Sequence, residues 1–214
     1  MNSLDLNLED PITGDEENHE LQASNGFNLT YRIRSFENEA EVKKFIKNAE
    51  LLIRRSLEYK TWHAYLTDVL NETNCIITME NSEACSIQIH HHIPSLYILT
   101  ESFVNKKLHD NKTFSTFDIS NEIMEFHFSN YVGYVPLATT IHEKFTNGFL
   151  NIPIELVKGN YQYFINNYLH YASDENQQVI LQRLSIKLAD LKQGWTNDNY
   201  PIFSGNKSNE DVEF

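Results

Sequence analysis

Ile87-Gln88-Ile89-His90-His91-His92 is the stretch that most narrows what this chain can become. From Cys85 onward, apolar Cys85, Ile87 and Ile89 alternate with polar Ser86, Gln88 and His90. A period of two marks a strand with one face in the core. It sends His90 and His92 to one face and His91 to the other, unless the strand has already turned. Both faces must then house an imidazole. Neutral imidazole binds divalent metals, and its proton comes off near neutral pH. Three in a row at a strand end point to chemistry; polar strand-end residues are the plainer alternative.

The flanks place this strand. Cys75 to Met79 is a short apolar, strand-like run, and Asn81-Ser82-Glu83 is a turn signal, so Cys75 to His91 is expected to form a hairpin. Upstream, Phe36 to Ser56 carries Phe45, Ile46, Ala49, Leu52 and Ile53 at helical spacing, and a second helix presents Trp62, Leu66 and Val69. Downstream, one helix opens at Pro94-Ser95 and runs to Leu108. Another, capped by Asp118 or Ser120, carries Ile119, Ile123, Met124, Phe126 and His127. Tyr131 to Leu137 is extended. A short helix then starts at Thr139 or Thr140 and stops at Asn147-Gly148, where Gly suits a left-handed cap. An extended piece from Phe149 to Val157 leads to two helices, about 160–171 and 174–191. Cys75 and Cys85, ten apart, fit no metal or redox spacing and are expected as small buried hydrophobes.

Charge is unevenly spread. The 214 residues hold 17 Lys and Arg against 30 Asp and Glu, a net −13 with His neutral. Residues 1–31 contain no Lys or Arg and carry −7, and residues 196–214 carry −3, which leaves −3 on residues 32–195. The expected organisation is one domain over 32–195, with acidic, disordered tails at 1–31 and 196–214. No run approaches the roughly 18 apolar residues of a membrane helix. The acidic start has no basic and apolar leader, so a cytoplasmic protein is expected. The net charge alone would disfavour nucleic acid, but its removal to the tails lifts that objection.

The His-bearing strand, followed by a short helix with His142, resembles the ββα-metal unit of HNH (His-Me finger) endonucleases. The likeness is to HNH-like proteins of large tailed bacteriophages. It rests on Leu52-Ile53-Arg54-Arg55-Ser56-Leu57-Glu58-Tyr59, on Ile87 to His91 with Leu96-Tyr97, and on Val135-Pro136-Leu137 with His142-Glu143 and Asn147-Gly148. It covers about residues 45–164. The resemblance implies an α+β fold, mainly helical, around a small ββα-metal-like unit. It implies His90 and His142 as metal ligands and His91 as the general base that activates water. His92, Glu143, Thr146 and Asn147 would support the site. Mg²⁺ is the first choice of ion, with Mn²⁺ or Zn²⁺ as alternatives, or none if the site is degenerate. The pattern's second helical His falls at Thr146 here, and its middle Asn falls near Gly133.

Three functional classes follow. One is a metal-dependent DNA hydrolase in the host cytoplasm, with Arg54, Arg55, Lys60, Lys106 and Lys107 approaching phosphate. Another is a catalytically inactive HNH-derived protein that binds DNA, or host transcription or replication machinery, or another host or phage protein. The third is a small helical protein whose histidines are structural.

Overall fold

The computed structural model describes residues 35–189 and, in backbone only, the strands β1 (His19–Gln22) and β2 (Asn28–Arg32). These two strands pair antiparallel, and all but Arg32 fall in the segment 1–31 expected as a tail. The rest of both tails lies outside the described residues. The remaining elements are α1 (Glu39–Arg55), α2 (Leu57–Ala64), β3 (Ile87–Ile93), α3 (Leu96–His109), α4 (Thr116–Phe128), β4 (Gly133–Ala138), α5 (Thr139–Thr146), α6 (Gln162–Asn167) and α7 (Asp174–Ser185). The α+β class, mainly helical around a ββα unit, is as expected. Among the described residues no helix is long and apolar enough to cross a membrane.

Local chemistry sets the helix ends. The Asn38 side chain accepts from the Glu41 amide at 3.1 Å and starts α1. Acidic Glu39 and Glu41 sit in its first turn and basic Arg54 and Arg55 in its last, each opposing the helix dipole. Ser56 both ends α1 and caps α2, where its hydroxyl oxygen accepts from the Tyr59 amide. A π turn, Tyr65–Val69, continues α2. The cap of α4 is Ser115, not Asp118 or Ser120 as expected from sequence. Ser115 accepts from the Asp118 amide while the Asp118 carboxylate accepts from the Ser115 amide. This is the reciprocal capping box, which serves two otherwise orphaned donors. Ser115→Ala is expected to lower the unfolding free energy by about 1 kcal/mol, measured by urea denaturation.

The hairpin expected over Cys75 to His91 does not form. Cys75 to Met79 turns back on itself: the Met79 amide donates to the Cys75 carbonyl, Met79 has φ 60°, and Asn74 and Asn81 form an isolated bridge. The partner of β3 is β4, more than forty residues downstream, with Ile89 opposite Pro136, His90 opposite Val135 and His91 opposite Tyr134. The ββα unit is therefore β3–β4–α5, with α3 and α4 inserted between its strands. Along the other edge of β4, the Pro136 carbonyl accepts from the Ile76 amide and Tyr134 pairs with Lys158.

This small sheet separates two cores. One face joins the larger core, where Ile89, Ile93 and Tyr134 meet Trp62, Ile123 and Phe126. Val135 and Leu137 pack in a smaller core with Cys75, Ile77, Ile141, Leu150 and Ile152. Cys75 is buried and Cys85 half-buried, both as free thiols. The two C-terminal helices are shorter than expected. The segment expected as helix over 160–171 is α6 plus a 3-10 turn at Leu169–Tyr171, and α7 ends at Ser185.

Candidate functional site

Strand alternation divides the histidines as the sequence implies. His91 lies on the face of the larger core and is 7% exposed. Its partners define its protonation. His127 Nδ1 lies 2.7 Å from the Ile123 carbonyl, which only accepts, so that nitrogen carries the proton. His127 Nε2 is then an acceptor, and His91 Nε2 donates to it at 2.8 Å. His91 Nδ1 is left to accept from the Tyr59 hydroxyl at 3.3 Å. The chain of bonds runs in one direction, from Tyr59 through His91 and His127 to the backbone of α4. Trp62 covers it, with its ring centroid 5.2 Å from His91 and 4.7 Å from His127.

Burial keeps this network neutral. Desolvation, helped by the neighbouring His127, holds His91 well below the usual imidazole range. Desolvation brings His127 down to about 4, although its bond to the Ile123 carbonyl pulls the other way. Burial pushes the Tyr59 hydroxyl up to about 12.

The opposite face holds the second group. His90 meets His142 of α5, with ring centroids 4.8 Å apart, and Phe145 at 4.6 Å. His92 lies 6.1 Å from His90 and 5.4 Å from Phe145. A register irregularity between His91 and Ile93 falls at His92, whose side chain is fully buried. Its carbonyl accepts from Arg183 of α7 at 2.6 Å, and that guanidinium also lies over the Phe145 ring. Nε2 of His90 and both ring nitrogens of His92 are buried without a hydrogen-bond partner. Desolvation, with smaller repulsion from nearby cations, takes His90 and His92 down to about 3. Desolvation also lowers half-buried His142.

The sequence-derived site is thus only partly assembled. His90, His92 and His142 come together, and His91 faces away from them. The Thr146 hydroxyl donates to the His142 carbonyl along α5. Glu143 is exposed, and Asn147 is exposed at the C-terminal cap of α5. Of the basic residues, Arg54 pairs with Glu50 at 2.7 Å, Lys106 with Asp110 at 2.7 Å, and Lys107 with Glu122. Arg55 and Lys60 are exposed. Sequence reasoning missed the bond between His91 and His127. Its signal was His127 itself, four residues after Ile123 on the buried face of α4.

The residues do not fit the magnesium site that the nuclease resemblance implies. Mg²⁺ demands oxygen ligands, and the grouped side chains offer imidazole nitrogen. Among the described residues, no group of three or more His, Cys, Asp or Glu could hold a metal ion.

Fold and site together define a mainly helical α+β chain with a histidine-lined two-stranded sheet. The chain belongs to the family of Bacteriophage G278-like virion proteins, whose model matches residues 1–206. The bacteriophage origin implied by the sequence is thereby shown, and nothing in the comparison indicates an HNH endonuclease. Curated proteins and solved structures gave no match.

Proposed function

We propose that this chain is a structural, non-hydrolytic component of the bacteriophage particle, in which the ββα unit serves as a rigid scaffold. The virion-protein family supports the particle role. The observation that carries the non-hydrolytic part is the placement of His91. A general base needs a free nitrogen within reach of the attacking water. Both His91 nitrogens are engaged, with Tyr59 and His127, and the ring lies on the opposite face of β3 from His90 and His142. The ion pairs of Arg54, Lys106 and Lys107 also reduce the positive charge available to a phosphate backbone.

Purified full-length chain is expected to leave supercoiled plasmid intact in Mg²⁺, Mn²⁺ or Zn²⁺. Mass spectrometry of purified phage particles is expected to find the chain at a constant ratio to the major capsid protein. Nicking that disappears in His142→Ala would return the site to hydrolysis. Absence of the chain from purified particles would remove the structural role.

A further inference from the structure

We propose that the cavity between α1 and α3 binds a primary ammonium group on a short aliphatic chain, held by the buried carboxylate of Glu101. The inference stands on this cavity and does not rest on the particle role. The cavity has a volume of about 660 Å³ and is lined from α1, from α3 and from Ser173 at the start of α7. That volume falls in the range of small-molecule sites. None of the histidines of β3 lines it.

Glu101 is the residue that calls for a cation. It is 8% exposed, and a buried carboxylate is costly unless a positive charge stands beside it. Its Oε2 accepts from the Ser173 amide at 3.1 Å, the Ser173 hydroxyl at 3.3 Å and the Asn176 side chain at 2.8 Å. These donors tie α3 to α7 and fix the carboxylate, but they are neutral, and a helix N-terminus adds only about half a charge. Among the described residues Glu101 has no ion-pair partner. Lys43 lines the same cavity and is paired with Glu39 at 2.6 Å. Burial, and next the Glu101 carboxylate, push the Tyr97 hydroxyl up, which is the field an entering cation would meet.

The chemistry selects the class of ligand. Oε2 already takes three donors, which leaves Oε1 for a guest. One oxygen suits the point charge of a primary ammonium, whereas guanidinium seeks both oxygens of a carboxylate in a fork. Tyr97, Glu101 and Asn105 are four apart and share one face of α3. Asn105 Nδ2 donates to the Tyr171 carbonyl at 2.8 Å, so its Oδ1 is the acceptor that remains for a second ammonium hydrogen. Phe36, Val42, Ile46 and Leu108 offer apolar wall to the methylenes behind the charge. A free alkyl amine and the lysine side chain of another protein present this same group.

The test uses the full-length chain at pH 7. Cadaverine, for a free amine, and acetyl-lysine methylamide, for a lysine side chain, are titrated separately by calorimetry, with 1-pentanol as the neutral contrast. The expected result is one amine per chain and no response to 1-pentanol. Tighter binding of cadaverine assigns the site to free amines, and tighter binding of the lysine derivative assigns it to a protein lysine. Glu101→Gln keeps an oxygen for Ser173 and Asn176 but removes the charge, so it should weaken binding by about tenfold or more. Leu108→Trp should do the same by filling the cavity with every charge in place. Glu125→Gln, exposed on α4 and outside the lining, should leave binding unchanged. Circular dichroism checks each fold, and if one of the first two variants fails to fold the other decides. No binding of either amine to the wild-type chain, equal binding of 1-pentanol, or binding indifferent to a folded Glu101→Gln overturns the proposal. In the first case Glu101 serves only to anchor α7.

Discussion

Gly159→Ala is expected to destabilise the chain by about 4 kcal/mol or more, enough to leave much of it unfolded. Gly159 has φ +90°, a conformation that side-chain-bearing residues rarely adopt. A Cβ there would stand 2.0 Å from the Val132 carbonyl oxygen and 3.2 Å from its carbon. Both contacts are backbone, so no flexible side chain can move aside. The chain around it is fixed on both sides. Lys158 exchanges two backbone hydrogen bonds with Tyr134, at 2.9 and 3.0 Å, and the Asn160 amide donates to the Asn130 carbonyl at 2.7 Å. Lys158 also pairs with the buried Glu72. Relieving the clash must pull Lys158 from β4 and strain the edge of the small sheet. Gly148→Ala is the control. Its φ is +75°, but nothing lies within 4 Å of the added Cβ, so the expected loss is only about 1 kcal/mol. Urea unfolding of both variants separates steric overlap from conformational preference. Equal losses would place the effect in φ alone.

That contrast also marks how far sequence reached. Gly148 was legible, because Asn-Gly after a short amphipathic run is a local stop signal, and α5 ends at Thr146 with Asn147 as its cap. Gly159 was not, because its role depends on Val132, which is distant in sequence. The same division runs through the site. Alternation along β3 is local, and it correctly sends His90 and His92 to one face and His91 to the other. The partner of β3 is not local. Asn81-Ser82-Glu83 looked like a hairpin turn, but the apolar run before it is used to close a tight loop against Pro136. Pairing of β3 with β4 is settled by the two cores that the sheet separates, and one sequence without contacts carries no record of that. The Ser115 cap was within reach, since Ser-x-x-Asp before an apolar run is a known start signal.

Acidification from pH 7 toward 4.5 is expected to bring the chain close to unfolding, and the buried imidazoles are the cause. In the fold, burial holds His127 down to about 4 and His91 well below its ordinary range. In the unfolded chain both take up a proton near 6.5. The unfolded state therefore binds more protons as pH drops. The stabilisation that accompanies neutral burial is complete above about 6.5 and is lost progressively down to the folded value. A shift from 6.5 to about 4 in His127 alone removes about 3 kcal/mol by the time pH 4 is reached, and His91 acts in the same direction. Against a total of about 5–15 kcal/mol, that is a large share. The carboxylates held low by lysine, Glu39 beside Lys43 and Asp110 beside Lys106, release their contribution only below their ordinary values of 4.5 and 3.8. Loss between pH 6.5 and 5 is thus assigned to imidazole. Urea midpoints measured in EDTA at pH 7, 6, 5 and 4.5 should fall steadily. His127→Gln keeps an amide donor near the Ile123 carbonyl and removes the titrating ring. That variant should be less stable at pH 7 yet lose less on acidification. A midpoint that stays level from pH 7 to 4.5 in the wild-type chain would mean that the buried imidazoles, His90 and His92 included, accept protons without opening the fold, and the neutral state assigned to them would then be wrong.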